Sequence, residues 1–260
     1  MKKKNYKISI LITNYNKSQF LNKSLNSVVS QSYKNYEIIL YDDASSDNSI
    51  EIIKKFKKVK LITNKKKKNI SAPLNQINGV IQCFKKSKGN ILLLLDGDDV
   101  FKKYKLKKID QFFKDNKKIN CVFDIPLNNI NQFKLKKRPK KYSVWPTIFP
   151  TSCISLRRNF LKIFLKNIYM MDFPHLEIDA RLSIFAKFYM NEYNIFNKRL
   201  THYNYDQQGI TAAIKKYSNL WWLRRSEAFT YLRILMKKKK IPFTYSFDYF
   251  ITNFLVFFYK

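Results

Sequence analysis

Six of the 18 acidic residues in this 260-residue chain fall within two short windows. The first window holds Asp42, Asp43 and Asp47, and the second holds Asp96, Asp98 and Asp99. Carboxylates packed this closely repel one another, so such a cluster usually holds a cation or a polar ligand. A helix-capping turn is the alternative for the first window, and an ordinary turn around Gly97 is the alternative for the second.

Each window directly follows a short apolar run that has the length of a buried strand. Five such runs occur in the first half of the chain, at Ile8–Ile12, Glu37–Tyr41, Val59–Ile62, Ile91–Leu95 and Cys121–Ile125. Segments with the apolar spacing of helices separate them. This alternation predicts an α/β fold with an open, doubly wound, mostly parallel sheet through about residue 126. Ligands bind at the carboxyl ends of the strands in such sheets, and both acidic windows lie at that edge.

The pattern changes after residue 126. Residues 127–150 contain the basic run Lys134–Lys141 and three prolines, which is typical of an extended connection. From residue 151 onward the apolar spacing is mostly helical and predicts a smaller, helix-rich C-terminal lobe. We therefore expect a binding half over 1–126, a second half of the same domain over 127–215, and a helical, aromatic tail over 216–260.

The charge of the chain is strongly positive, with 51 Lys and Arg and a formal net charge of +33. Such a charge favours a nucleic-acid or anionic-membrane partner, although a uniform compositional bias explains it equally well. No helix-turn-helix pattern, zinc spacing or RNA-binding strand motif accompanies the basic runs, and acids at the sheet edge repel phosphate. We therefore expect no nucleic-acid partner, and a basic nucleic-acid-binding protein stays only as an alternative.

Cysteine usage and hydropathy indicate the compartment. Cys83, Cys121 and Cys153 have neither disulfide nor metal spacing, which favours a reducing compartment. No stretch reaches the ~18 apolar residues of a membrane span. The basic run Lys237–Lys240 and the aromatic C-terminus instead predict a cytoplasmic protein that docks peripherally on the anionic inner face of the plasma membrane.

The second acidic window fits a phosphatase motif as well as a metal site. Leu92–Val100 reads as an apolar strand followed by D-x-D-x-V, the nucleophile motif of haloacid-dehalogenase-like phosphatases. In that alternative Asp96 and Asp98 would perform the chemistry. Three strand–helix units precede the motif here, whereas that family places it on its first strand.

Four ordered stretches together resemble family 2 glycosyltransferases of the inverting GT-A type. They are Ile8–Asn16 (ISILITNYN), Ser27–Tyr33 (SVVSQSY), Tyr36–Ser49 (YEIILYDDASSDNS) and Lys88–Asp99 (KGNILLLLDGDD). The resemblance implies a nucleotide-sugar donor, of which a UDP-sugar is the commonest, and a divalent metal, Mg²⁺ or Mn²⁺. It implies transfer with inversion to the hydroxyl of a glycan or lipid-linked acceptor, in the synthesis of a cell-surface glycan such as lipopolysaccharide or capsule.

The resemblance also implies roles for individual residues. Those on the donor side are Thr13, Asn14 and Tyr15 as the wall around the base, Asp43 as a partner of the base, Asn75 as a polar donor-side position, Asp96 at the ribose and Asp98 at the metal. Under this resemblance Asp42 is structural and Asp99 supports Asp98.

The catalytic base is expected in the second half of the chain. Asp179, just before a predicted helix, matches the family's acid that removes the acceptor proton, and Glu177 is the alternative. Charge complementarity with the helix dipole is the competing explanation for both acids. Thr201–Thr211 resembles a late family loop, but Asn204 and Asp206 stand where Arg and His are usual.

Overall fold

The computed structural model describes residues 5–64, 71–128, 144–204, 209 and 214–258. The strands are β1 (Ile8–Asn14), β2 (Tyr36–Asp42), β3 (Val59–Thr63), β4 (Ile91–Asp96), β5 (Val100–Phe101), β6 (Cys121–Pro126), β7 (Ile154–Arg157) and β8 (Asn194–His202). The α-helices are α1 (Ser18–Val29), α2 (Ser49–Lys54), α3 (Ala72–Lys86), α4 (Lys105–Asp115), α5 (Arg158–Leu165), α6 (Ile178–Ile184), α7 (Asn219–Lys238) and α8 (Phe247–Phe257).

The strands form one mixed sheet in the order β3-β2-β1-β4-β7-β6-β8-β5. The first four strands of that order run parallel, as the apolar runs predict. Side chains of β1 alternate between two cores: Ile10 packs with Leu21 and Leu25 of α1, whereas Leu11 packs with Ile77 of α3. Because both faces are covered by helices, the strands need continuous apolar runs, and this confirms the predicted doubly wound α/β class.

The start of α3 follows the rules for helix N-termini. The hydroxyl of Ser71 accepts a hydrogen bond from the Leu74 amide, and Pro73 lies in the first turn, where its missing N–H is no loss. The helix begins close to the carboxyl end of β4, because Gln76, its fifth residue, donates to Asp96 at 2.8 Å. Asn75, one residue earlier, lies at the same end of the helix.

Two strands after residue 126 were not predicted. β7 has four residues and pairs antiparallel with both β4 and β6, so it lies inside the sheet. β8 runs parallel to β6, with irregular register near Ile125, and much of it is polar and exposed. A strand this short, and one with an exposed face, lack the long apolar run that identified the others. The domain boundaries at 126 and 215 stay predictions.

A fully buried ion pair joins helix α4 to strand β6. Lys105 of α4 lies 2.6 Å from Asp124 of β6, and both side chains are inaccessible to solvent. The Lys105 ammonium also donates to the Ser152 carbonyl at 2.7 Å, and Thr201 of β8 donates to Asp124 at 2.8 Å. The Ser152 hydroxyl in turn accepts from the Asp96 amide at 2.9 Å. Through Ser152, the network therefore holds the backbone at the end of β4 in place.

The helix predicted to follow Asp179 has two parts, α6 and a π-helical segment, Phe185–Met190, and α6 begins at Ile178, so Asp179 lies within its first turn and not before it. All three cysteines are buried free thiols. Among the described residues, no helix is both long enough and apolar enough to cross a bilayer. All four residues of Lys237–Lys240 are exposed, while the basic runs Lys65–Lys68 and Lys134–Lys141 lie outside the described ranges.

Candidate active site

The carboxyl ends of β1, β2 and β4 bring the two acidic windows together. In the sheet register Thr13 lies beside Asp96, and Asn14 lies beside Asp42. Thr13 Oγ1 donates to Asp96 Oδ1 at 3.0 Å, and Asn14 Nδ2 donates to Asp42 Oδ2 at 2.7 Å. Two polar residues that end β1 therefore bridge the two windows, as expected for a ligand site at this edge.

The neighbouring aspartates after β2 have different environments. Asp42 is fully buried and accepts from Asn14, from the Ser45 amide at 2.9 Å and from the Ser45 hydroxyl at 2.7 Å. Its hydrogen bonds hold the loop that follows β2. Asp43 instead accepts from the Tyr41 hydroxyl at 3.2 Å and from Asn64 Nδ2 at 3.0 Å. Burial and the charge of Asp43 raise the pKa of Tyr41 to about 12, which keeps the phenol a neutral donor.

The turn after β4 places three carboxylates within four residues. Asp96 Oδ1 accepts from Thr13 and also from Gln76 Nε2, at 2.8 Å. Desolvation, then repulsion from Asp98, raises the pKa of Asp96 to about 6. A Cβ atom on Gly97 would lie 2.5 Å from Asn14 Oδ1, so only glycine fits this close approach.

The remaining two carboxylates of the turn differ in accessibility. Asp98 is partly exposed, and the Lys17 ammonium lies 2.9 Å from its Oδ2. Asp99 is fully buried, and its Oδ1 accepts from the Asn204 amide at 2.7 Å. Asp99 Oδ2 has no hydrogen-bond partner among the described residues. Burial and the charges of Asp98 and Asp96 raise the pKa of Asp99 well above its usual range.

This donor set suits a hard divalent cation that is bound only partly by protein. Within the described ranges, no group of three or more His, Cys, Asp and Glu side chains is arranged to enclose a metal ion. Mg²⁺ and similar ions, however, are commonly held by one or two carboxylates and complete their shell with water and substrate phosphates. Asp98 is partly exposed and can serve as such a ligand, and the carboxyl groups of Asp96 and Asp99 lie in the same turn. The residues present therefore fit Mg²⁺ or Mn²⁺.

The candidate base lies at the start of α6. Asp179 is partly exposed, but desolvation of its carboxyl and the charge of Glu177 raise its pKa to about 7, against a lowering effect of Arg224. The charge of Asp96 also contributes to this raised pKa. Asp179 is therefore close enough to the end of β4 for the two carboxylates to interact, although they are far apart in sequence.

Glu177, the alternative base, is engaged by α7. Its Oε2 forms an ion pair with Arg224 Nε, and its buried Oε1 has no hydrogen-bond partner among the described residues. The one acid of α7, Glu227, lies near this point and accepts from the His175 amide at 2.8 Å. Burial raises the pKa of Glu227 to about 7 and lowers the pKa of His175. The Glu177 carboxylate is thus paired with Arg224, whereas the Asp179 carboxylate is more accessible to solvent.

A buried arginine fixes the approach to α6. The Arg181 guanidinium is inaccessible to solvent and donates to the carbonyls of Leu176, at 2.9 Å, and Ile168, at 2.7 Å. It also donates to the Phe173 carbonyl. Burial lowers the pKa of Arg181 to about 10, so it stays charged at neutral pH. Because one side chain holds three carbonyls of the preceding loop, it determines where α6, and with it Asp179, begins.

Three residues of this site, Lys17, Gln76 and Arg224, were not identified from the sequence. None of the three belongs to a spaced motif of chemically active side chains. Lys17, directly after the Ile8–Asn16 stretch, carried the one available signal, a cation next to a motif that ends at the acidic site. Tyr203 lies in the Thr201–Thr211 stretch, and its pKa is raised first by burial and then by the charges of Asp99, Asp96, Asp179 and Asp98.

The other predicted residues take varied positions. Tyr15 is 39% exposed at the edge of the sheet, while Asn75 is buried in α3. From the late loop, Asn204 contributes its main-chain amide to Asp99 and not a side chain. Asp206 lies outside the described residues.

Comparison with known proteins defines the family. The model of Glycosyl transferase family 2 matches residues 9–175, which is more than half of the chain. The chain therefore belongs to glycosyltransferase family 2. Putative glycosyltransferase EpsE of Bacillus subtilis (strain 168) is 35% identical over 121 residues, which are 45% of this chain and 41% of that protein.

A second relative is the Escherichia coli UDP-Glc:alpha-D-GlcNAc-diphosphoundecaprenol beta-1,3-glucosyltransferase WfgD. It is 32% identical over 114 residues, which are 43% of each protein. This chain thus matches about two fifths of the length of both relatives. The family assignment favours the glycosyltransferase interpretation of Asp96 and Asp98 over the phosphatase alternative.

Solved structures agree on the fold. Staphylococcus aureus TarS in complex with UDP-GlcNAc has a TM-score of 0.62 at 16% identity, covering 86% of this chain and 66% of that one. Mannosyltransferase PcManGT from Pyrobaculum calidifontis in complex with GDP-Man and Mn²⁺ has a TM-score of 0.60 at 15% identity, covering 92% and 66%. The fold is of the GT-A type, as predicted.

Proposed function

We propose that this protein transfers a sugar from a nucleotide-sugar donor to an acceptor hydroxyl with inversion at the anomeric carbon. One observation supports this most strongly: at the start of α3, Gln76 donates to Asp96 at 2.8 Å and Ser71 donates to the Pro174 carbonyl just before α6, so the donor-side acids and the candidate base Asp179 lie around the same end of α3. A base on one side of a sugar and a nucleotide-binding edge on the other are what single-displacement transfer needs.

The donor would lie along the ends of β1, β2 and β4. Tyr15, exposed at this edge, offers a ring for the base, and Asp43 offers a carboxylate acceptor next to it. Asp96 is held in place by Thr13 and Gln76 and would accept from the ribose hydroxyls. Thr13, Asn14 and Asn75 complete the polar lining.

In the chemical step, the acceptor hydroxyl oxygen bonds to the anomeric carbon, and the bond from that carbon to the diphosphate oxygen breaks. The hydroxyl proton passes to Asp179. Because attack comes from the face opposite the leaving group, the anomeric configuration inverts. With its pKa at about 7, Asp179 is well matched to accept a proton at neutral pH.

Asp98 would hold Mg²⁺ or Mn²⁺, and the buried Asp99, the next residue of the turn, would support Asp98. A divalent cation bound there supplies positive charge to the departing nucleoside diphosphate. The Mn²⁺ named with the mannosyltransferase PcManGT is consistent with this choice of ion.

Thermal unfolding with a panel of UDP- and GDP-sugars tests the function directly. A ligand that binds only the folded state raises the melting temperature, so one donor together with Mg²⁺ or Mn²⁺ should raise it beyond the ion alone. Turnover of that donor should release the nucleoside diphosphate when a glycan acceptor is added. If no donor shifts the transition with either ion, the proposed function is wrong.

We also propose that the acceptor is lipid-linked and that the protein docks on the anionic inner face of the plasma membrane to reach it. The E. coli relative is named for a diphosphoundecaprenol acceptor, which supports a lipid-linked class and a role in cell-surface glycans. Helix α8 supports docking: its aromatic face, defined as Phe247, Phe250, Phe254 and Phe257, is exposed. Spacings of three and four residues put these rings on one side of the helix.

The charges around the aromatic face fit the same partner. Lys237–Lys240 precedes α8 and is exposed, whereas the single acid of α8, Asp248, is neutralised by Arg225. A basic run next to a row of interfacial aromatic rings is typical of helices that lie at the surface of anionic membranes.

A further inference from the structure

A lysine lies where the proposed metal would bind. Lys17 Nζ is 2.9 Å from Asp98 Oδ2, and the two side chains are only 18% and 12% exposed. The ammonium of Lys17 is therefore paired with a carboxylate of the DGDD turn (Asp96–Asp99) and is largely shielded from solvent.

The position of Lys17 is set by the backbone. It directly precedes α1, and its carbonyl accepts from the amides of Phe20 and Leu21 at 2.9 Å each. The side chain extends from this anchored residue to Asp98 in the turn after β4. A partly buried ion pair between anchored elements persists, whereas a fully solvated pair contributes little.

The carboxyl groups of the DGDD turn repel one another, and a cation beside Asp98 offsets that repulsion. We propose that Lys17 is the resident counter-ion of this turn, and that Mg²⁺ or Mn²⁺ must displace its ammonium from Asp98 in order to bind. This inference rests on the metal-dependent transfer proposed above. Lys17 then makes metal binding weak until a donor arrives, because the diphosphate both supplies oxygen ligands and offers the released ammonium a new anionic partner.

The exchange predicts a gain in metal affinity when the lysine is removed. Lys17→Gln should bind Mn²⁺ about fivefold more tightly than the unchanged protein in the absence of nucleotide, because no ammonium competes for Asp98. Lys17→Arg keeps the charge and should stay close to the unchanged protein. Mn²⁺ binding is measured by electron paramagnetic resonance or calorimetry, with no activity assay. Lys17→Met provides the same test if the glutamine variant fails to fold.

The control is a lysine that pairs with a carboxylate away from the site. Lys60 lies 3.0 Å from Glu37 at the start of β2, so Lys60→Gln removes one positive charge without touching the DGDD turn. It should leave Mn²⁺ affinity unchanged. Equal tightening in Lys60→Gln and Lys17→Gln would show a general charge effect and overturn the inference.

The remaining outcomes separate the two proposals. If Lys17→Gln binds Mn²⁺ no more tightly than the original protein, while the original protein binds Mn²⁺ with UDP or GDP present, the role of Lys17 is overturned and the proposed function stands. If neither protein binds Mn²⁺ with UDP or with GDP, the metal itself is wrong, and the inference falls with it.

Discussion

At the residue scale, the protonation of Asp179 connects the structure to a measurable rate. A carboxyl with a pKa of about 7 is half ionised at neutral pH and mostly protonated below it, and only the ionised form can accept the acceptor proton. Transfer should therefore fall about tenfold per pH unit below 7 and level off above it. A pH profile of kcat/KM on a single donor–acceptor pair measures this. A profile that stays level from pH 5 to 8 would exclude Asp179 as the base.

Asp179→Asn separates catalysis from binding and from stability. The amide cannot accept the proton, so transfer should be abolished, while donor-induced thermal stabilisation stays as in the unchanged protein. Because the folded-state pKa of Asp179 is raised, its contribution to stability is present at low pH and lost as pH rises through 7. The variant should thus unfold at an equal or higher temperature at pH 8. Glu177→Gln is the comparison. If transfer survives in Asp179→Asn but is abolished in Glu177→Gln, Glu177 is the base and Asp179 is not.

Replacing either of the adjacent residues Asp42 and Asp43 by Asn should have a different effect, on stability for Asp42 and on nucleotide binding for Asp43. Asp42→Asn disrupts hydrogen bonds from Asn14 and Ser45 in a fully buried position and should cost about 1–3 kcal/mol of unfolding free energy. Asp43→Asn should leave stability nearly unchanged and weaken binding of the free nucleoside diphosphate about tenfold. Urea unfolding and calorimetry measure the two effects. Equal losses of nucleotide affinity would show that Asp43 has no particular contact with the base.

At the element scale, the buried pair Lys105–Asp124 joins α4 to β6, and Ser152 extends its network to the end of β4. Burial raises the pKa of Asp124 even with Lys105 beside it, so its charge depends on that partner. Lys105→Met should destabilise the fold by about 3–5 kcal/mol, because an uncompensated carboxylate remains in the core. The double variant Lys105→Met/Asp124→Leu should recover much of this loss. Denaturant unfolding measures both.

The exposed pair of Lys60 and Glu37 is the control for the loss of stability in Lys105→Met. Lys60→Met removes a lysine that is 58% exposed and should change stability by less than about 1 kcal/mol. If Lys105→Met cost no more than Lys60→Met, the buried network would contribute nothing to the rigidity of the β4 end.

At the scale of the whole molecule, the net charge of +33 and the aromatic face of α8 predict the same behaviour towards membranes. Binding to vesicles that contain phosphatidylglycerol should be strong at low salt and weaken as salt rises, and neutral vesicles should bind poorly. Phe250→Ser/Phe254→Ser should reduce binding at least about tenfold, because two exposed rings are lost from the interface. Co-sedimentation measures the bound fraction.

The control for the vesicle experiment is Tyr104→Ser, an exposed aromatic residue outside α8. It should bind vesicles like the unchanged protein. If the double phenylalanine variant also binds normally, another occupant, such as a second copy of the chain or a further protein segment, covers the aromatic face. Analytical ultracentrifugation of the same variants distinguishes self-association from membrane docking.

Much of the fold was predictable because its parallel half obeys local rules. Strands covered on both faces require apolar runs, and the helices between them require amphipathic spacing, so β1 to β4 and α1 to α3 can be read from residue order. The same rules failed for β7, which is only four residues long, and for β8, which is half exposed and polar. Their place in the sheet depends on pairing partners distant in sequence, such as β6.

The sequence by itself determined the carboxylates at the ends of β2 and β4, because a parallel sheet brings all its carboxyl ends to one edge. Only the tertiary structure decided which charges meet there. The interaction of Asp179 with Asp96, and the contact of Lys17 with Asp98, depend on how α6 and α1 pack around the sheet. That packing depends on contacts throughout the core, including those of the buried Arg181 that fixes the start of α6. Such contacts join residues that are distant in sequence, so short spacing patterns cannot predict them.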